Sequence, residues 1–503
     1  MAATPSIVAR AVLALVLMVL FFVAAAGAVV ALVLAGKFLF ELAAEIHGRG
    51  ILFIGLAALA CFGAAAVVAW SVLPRPDRFE PPGPEISANR QPTLFAELRR
   101  VAVATGEAMP AHVYVVNDVN AFVTQRGGIM GLGSRRVMGL GMPLLRTLTV
   151  SELRAVIAHE MGHFYGGDTK LGPWIYKTRG AMVRTVVNLS KAGAEAGSIH
   201  ELIPLMFAAI RAPFLWLAKG FLRVSQAVSR AQEYSADGVA VRTEGAPALI
   251  NGLKKTHAAA LAHRLYLQNE VEPMIERGVL PPVGEGFSRF LGNAEMGKLL
   301  DGVVAAELAE GTQDPYDSHP PLRDRIAAAE RLTGARRTPD DRPAIELVIE
   351  PEQYETELVR SMVDRPLATV SWRDTARHWE ATWREQQAKA RAALADLTIA
   401  TLPRGLRELR ALARRIHGEA ADHVDDDDIR GWAVGAVGAA VALLLGEAGF
   451  ELVATPGAPH QLVAGDVAIE PFRELSAWWR GETAADALVE RFAPLGLADR
   501  PLA

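Results

Sequence analysis

The sequence predicts a mainly α-helical protein with a small β-sheet, of the α+β class, entered through an N-terminal transmembrane helical hairpin. Three observations carry this expectation. Ala11–Gly36 runs 26 residues without a charge and Ile51–Pro74 a further 24, each longer than the roughly 20 apolar residues a bilayer core requires of a helix. Short β-branched segments separated by glycines lie between residues 112 and 140. From Leu144 to about Leu332 the apolar residues recur mainly at helical spacing.

The two runs explain a mean hydropathy of +0.20 over 503 residues. Small residues at Ala24–Ala28 resemble a signal-cleavage site, but the apolar run continues well past them and a second follows. An uncleaved hairpin is therefore expected over 1–74, with spans at about 11–36 and 51–73 and a loop at Lys37–Gly50. Arg10 before it and Arg75, Arg78 and Arg90 after it outnumber Lys37 and Arg49 in the loop. Positive charge favours the cytoplasmic side, which places both ends of the hairpin and the rest of the chain there. The formal charge of −4 and pI near 6.3 offer no basic footprint for nucleic acid. Cys61 is the only cysteine, so no intramolecular disulfide exists to suggest an oxidising compartment.

The proline-rich stretch 75–90 reads as a linker. A short amphipathic helix is expected from Gln91 to about Thr105, then strands at His112–Asn117, Asn120–Gln125 and Arg135–Leu140. One domain is expected over 91–335, bounded by the Pro- and Arg-rich stretch Gly334–Pro343, and a separate α+β accessory region over 345–503. Within the latter, Trp432–Leu445 is about 14 residues of apolar sequence, short for a bilayer and better suited to a buried helix. The acidic run Asp425–Asp428 before it suits the positive end of that helix better than a cation. Phe450–Ala454 and Leu462–Ile469 read as a hairpin through Thr455-Pro456-Gly457, and Trp478 and Trp479 as core.

The segment from Thr149 to His163 holds the chemistry. Thr149 with Glu152 three residues on is a capping-box pattern that starts a helix. His159 and His163, four apart, share one face of that helix, so both imidazoles can grip one ion. Glu160 projects beside them, where a carboxylate can act as base on a water activated by the metal. A third protein ligand is needed. The metzincin extension would place a histidine at 169, where Thr169 stands. Glu233 is the better candidate, with Asp237 one turn later placed to accept the second N–H of a ligand histidine.

With these residues the chain resembles the integral-membrane zinc peptidases that include the HtpX heat-shock proteases and the CAAX prenyl proteases. The matching pieces are the two-span start, Asn120-Ala121-Phe122, His159-Glu160-Met161-Gly162-His163, Glu233-Tyr234-Ser235-Ala236-Asp237 and His319-Pro320-Pro321, together covering about residues 1 to 330. The resemblance implies a zincin-like catalytic domain in a bacterial cell membrane that holds one Zn2+ per chain and cleaves polypeptides. His159, His163 and Glu233 would be ligands, Glu160 the base and Asp237 their support. Asn120, on an edge strand, would hold substrate backbone, and His319 would stabilise the developing oxyanion. Quality control or processing of membrane proteins is the implied role. The alternative is a non-catalytic zinc-containing scaffold acting through its C-terminal region, against which the intact Glu160 speaks. Members of the HtpX type carry further spans before the third ligand. Here Leu171–Lys191 holds Lys177, Arg179 and Arg184, and Ile203–Leu222 is broken by Arg211, Pro213 and Lys219. Charges in mid-membrane are costly, so an amphipathic helix at the interface or over the cleft is expected for the latter. A many-span chamber is not expected, which disfavours prenyl peptides as substrates, and nothing in the resemblance assigns residues after 340.

Overall fold

The computed structural model describes residues 5–45, 50–73, 79–128, 133–164, 172–196, 202–310, 319–334, 337–484 and 486–503. The chain divides into two compact units. The first comprises Met1–His257 and Val303–Ile349, the second Ala258–Gly302 and Glu350–Ala503.

The first unit begins with helices α1 (Pro5–Glu45) and α2 (Gly50–Val72). The expected loop from residue 37 is helical as far as Glu45, because Lys37 and Glu41 pair along one helix face rather than ending it. A four-stranded sheet follows from β1 (Glu85–Ile86), β2 (His112–Val116), β3 (Ala121–Arg126) and β4 (Arg135–Gly141), with α3 (Pro92–Thr105) between β1 and β2. The strand order is β1-β2-β4-β3. β2 and β4 are parallel, while β1 and β3 flank them antiparallel. The proline-rich linker is thus partly sheet: Glu85 and Ile86 pair with Tyr114 and Val113. A two-residue strand has no period to read and is recognisable only by its partner. Asn120, expected within a strand, lies one residue before β3, its carbonyl accepting from the Gly141 N–H.

Next come α4 (Met142–Thr147), α5 (Val150–Gly162), α6 (Gly172–Ala196), α7 (Leu202–Glu244) and α8 (Ala246–Tyr266), then α9 (Glu272–Glu276), β5 (Val279–Leu280), α10 (Val283–Gly292), α11 (Ala294–Glu310) and α12 (Leu322–Glu330). The stretch expected as a separate interfacial helix is the first half of α7, which runs 43 residues unbroken. Phe21, Ala64, Val68, Met182, Leu189, Phe207, Phe214 and Phe221 form one core shared by α1, α2, α6 and α7. Arg211, one of the two charges that argued against a membrane level for this segment, is turned toward α6, and α6 turns polar groups toward α2, whereas Lys219 is exposed. Arg211 bonds the Ser190 hydroxyl, Arg184 the Ser71 carbonyl, and Asn188 the Ser71 hydroxyl at 2.9 Å.

The second unit adds α13 (Pro351–Ser361), β6 (Ala368–Thr369), α14 (Ala376–Leu394), α15 (Leu406–His417), α16 (Asp426–Glu447), strands β7 (Glu451–Val453), β8 (Gln461–Ala464) and β9 (Val467–Ile469), α17 (Pro471–Trp479) and α18 (Ala487–Phe492). The expected boundary near 340 left Ala258–Gly302 with the first unit. The structure groups it with the second: β5 pairs with β6, and Arg277 reaches Thr382 and Glu385. Tyr266, Phe287, Phe290 and Trp372 form the core that joins these pieces. The expected hairpin after residue 450 is a three-stranded meander, since Gly465 in the left-handed region turns the chain again. Asp425 caps α16 by accepting from the Asp427 and Asp428 N–H groups. By length and hydropathy α16 also suffices to span a bilayer, yet 61% of its most apolar stretch is buried, against 22% for α7. α16 is the centre of a protein core, whereas α7 leaves most of its apolar stretch uncovered by protein.

Candidate metal and active site

The site is assembled on α5. Glu152 donates its backbone N–H to the Thr149 hydroxyl at 3.3 Å and its carboxylate accepts from the Thr149 N–H at 2.8 Å. This capping box fixes where the helix begins and hence which face the histidines occupy. Leu153, Ala155, Ile157, Ala158 and Met161 are buried, so the helix is held on nearly all sides. α7 lies directly against it. A Cβ at Gly162 would come within 3.0 Å of the Ala236 backbone, so glycine between the two histidines is what lets the helices approach and brings Glu233 within reach.

His159 Nε2 lies 3.4 Å from Glu233 Oε2, and His163 Nε2 3.5 Å from Glu233 Oε1. The two imidazoles stand nearly perpendicular, at 84°, with centroids 4.8 Å apart. The donor atoms of His159, Glu160 and His163 all fall within 4.8 Å of one another. Behind them, Asp237 Oδ1 approaches His159 Nδ1 at 2.9 Å, which leaves Nε2 of that ring facing the cluster. His319, mostly solvent-exposed, places Nδ1 3.1 Å from Glu233 Oε2. Asn120 is exposed just before β3. β3 itself is an edge strand, and the Val123 N–H donates to the Glu160 carboxylate.

The charges are strongly coupled. Burial opposes a charge on His159, but its bonds to Asp237 and Glu233 outweigh this and hold its pKa up to about 9. Glu160 is pushed up to about 7, first by burial and then by Glu233, with His159 opposing. Burial and the neighbouring His159 lower His163 to about 4. Glu233 stays well below the usual carboxylate range despite burial, because His159 and His319 flank it. The site thus favours positive charge beside His159, whether a proton or a metal ion. Glu233 Oε2 is buried and faces imidazole nitrogens of both His159 and His319. Two imidazoles and one buried carboxylate converging in this way fit a zinc ion, which takes such ligands at about 2.0–2.2 Å.

One residue of the site escaped the sequence reading. Arg325, on α12 and 5% exposed, grips Asp237 with two bonds of 2.9 and 2.7 Å. It also lies 3.4 Å from His159 Nδ1 and 3.5 Å from Glu233 Oε2. A signal for it existed. Glu160, Glu233 and Asp237 together carry one negative charge more than a divalent ion neutralises, so a nearby cation is due. Which of the many arginines supplies it is a tertiary matter.

Residues 88–333 match the model of "Peptidase family M48". A "Protease HtpX homolog" of Tropheryma whipplei (strain Twist) is 28% identical over 251 residues, covering 48% of this chain and 73% of the relative. One of Desulfatibacillum aliphaticivorans is 28% identical over 257 residues, covering 50% and 71%. One of Campylobacter hominis is 31% identical over 178 residues, covering 34% and 59%. No solved structure matches the chain significantly.

Proposed function

Because the chain belongs, through residues 88–333, to peptidase family M48, and is an integral-membrane protease, we propose that it is a zinc-dependent endopeptidase. His159, His163 and Glu233 would hold the ion. The observation that carries the proposal is the convergence of these three side chains, with the His159 and His163 Nε2 atoms 3.4 and 3.5 Å from the two oxygens of the buried Glu233 carboxylate. Zinc, when bound, supplies a Lewis acid that polarises the scissile carbonyl and acidifies a water.

The chain's own residues do the rest. Glu160, its carboxylate beside the two histidines, takes a proton from water and returns it to the leaving amine. Asp237 fixes the His159 tautomer by accepting its Nδ1–H, and Arg325 holds Asp237 in place. An extended substrate would add to the free edge of β3, with Asn120 at its start holding substrate backbone. His319, beside Glu233 and open to solvent, would steady the developing oxyanion. The catalytic domain is read as 91–335 on the cytoplasmic face, from the arginines that flank the hairpin. Residues 345–503 are read as an accessory region, and the biological role as processing or quality control of membrane proteins. A scaffold without catalysis is disfavoured, since it has no use for a carboxyl poised as Glu160 is.

Casein cleavage and metal content of purified wild type and Glu160→Gln test the proposal. The variant is expected to keep about one zinc per chain and lose turnover by at least a thousandfold. Undiminished cleavage by Glu160→Gln would overturn it.

A further inference from the structure

α7 carries the lipid-facing surface and a candidate zinc ligand on one unbroken helix. Exposed Leu202, Leu205 and Trp216 mark its apolar half, and Lys219 and Arg223 are the first exposed cations after it. Pro213 is the only proline of this helix beyond its first turn, and it lies on the membrane side of that boundary. α1 supports the level independently. It forms a hairpin with α2, and α2 leads toward the catalytic domain as α7 does, so α1 and α7 run in opposite directions. Phe21 packs against Phe214, edge to face at 6.0 Å. Exposed Arg10 lies eleven residues before the first, and Arg223 nine residues after the second. On both helices an exposed arginine therefore stands within about 3 Å of the same height, and Lys219, one turn nearer the apolar half, has a four-carbon stem that lets its ammonium reach that level. Trp70, exposed two residues before the end of α2, and Trp216 lie below it, as expected of interfacial tryptophans.

From Arg223 to Glu233 is ten residues, or about 15 Å of helix at 1.5 Å per residue. A tilt of about 20°, usual for membrane helices, shortens this height by only about 1 Å, and one of about 40° by about 4 Å. An extended polypeptide advances about 3.3 Å per residue, so about five residues bridge the gap. We propose that α7 is a ruler: the protein cleaves polypeptides anchored in its own bilayer, at bonds no closer than about five residues to the point where the substrate leaves the membrane. This rests on the proteolytic reading above and adds the position of the cut. A helical substrate segment, at 1.5 Å per residue, would have to be about twice as long or unfold, and the β3 edge accepts only the extended form.

The test uses the full-length protein in phosphatidylethanolamine–phosphatidylglycerol vesicles. One unstructured casein segment is presented free, or fused directly after a single transmembrane helix, or fused through Gly-Ser spacers of 3, 6 and 12 residues, and the cuts are mapped by mass spectrometry. The ruler predicts that bonds cut in the free segment within about five residues of its start are protected at least tenfold in the direct fusion. They should reappear with the spacers of 6 and 12. Cleavage of those bonds in the direct fusion at the rate of the free segment would overturn the ruler and leave the protease standing. So would failure to cut any tethered form while the free segment is cut. If the free segment is also intact, the proteolytic reading fails, and the ruler with it.

Discussion

Arg325 is a full charge with 5% of its surface exposed, enclosed with the carboxylates of Glu160, Glu233 and Asp237. Desolvation on this scale is tolerable only with partners in place, and removing one member of a buried pair costs about 3–5 kcal/mol because the other is left uncompensated. Arg325→Met is therefore expected to destabilise the first unit by that amount in denaturant unfolding, and Arg325→Lys by less, since one ammonium cannot replace a two-pronged grip. An unchanged unfolding midpoint in Arg325→Met would show that Asp237 does not depend on it. The histidine pair and Glu160 were legible from spacing alone because one turn of helix makes residues four apart neighbours. Arg325 was not, since an arginine on a short amphipathic helix is ordinarily solvated and only the packing of α12 onto α7 buries it.

Among the elements, α5 shows how local chemistry sets a site. Its capping box was readable from Thr149 and Glu152, and the structure adds a second use for Glu152, an ion pair of 2.8 Å with Lys255 on α8. Thr149→Ala should cost about 1 kcal/mol and speed amide exchange in the first turn of α5 ahead of its later turns. Exchange unchanged there would mean that tertiary packing alone positions the helix. α7 teaches the converse lesson. Arg211, Pro213 and Lys219 made its apolar half look interrupted, but Ser190 receives Arg211, while Pro213 and Lys219 are exposed at the surface. Hydropathy counts a charge wherever it stands along the chain, whereas its cost depends on what it faces.

For the molecule as a whole, the division at His257 and Val303 separates a membrane-borne peptidase unit from a second unit with its own cores. The second unit carries a titratable group of its own. His460 is enclosed by Trp379, Trp383 and Phe472, and burial lowers its pKa to about 4. Between pH 6.5 and 4 the unfolded chain binds a proton at this position that the folded unit refuses. The stability is therefore complete above about pH 6.5 and falls as the pH drops toward 4, by on the order of 3 kcal/mol. Glu270, which burial raises to about 7, acts oppositely: its contribution is complete below about pH 4.5 and lost as the pH rises through 7. Comparing wild type with His460→Phe isolates the first effect. The stability of wild type relative to the variant should shrink as the pH is lowered from 7 to 4.5, read by hydrogen exchange in α14 and α17. A pH-independent difference would place His460 in solvent contact.

Periodicity and spacing sufficed for the hairpin, the three main strands of the first sheet, the helix of His159 and His163, and the family resemblance, because each is written within a few turns of one segment. The partner of β1, the unbroken length of α7, the grouping of Ala258–Gly302 with the C-terminal residues and the place of Arg325 waited for the folded chain. Each depends on which distant segment lies alongside, and that is chosen by packing and by the pairing of buried charge, neither of which leaves a period in the sequence.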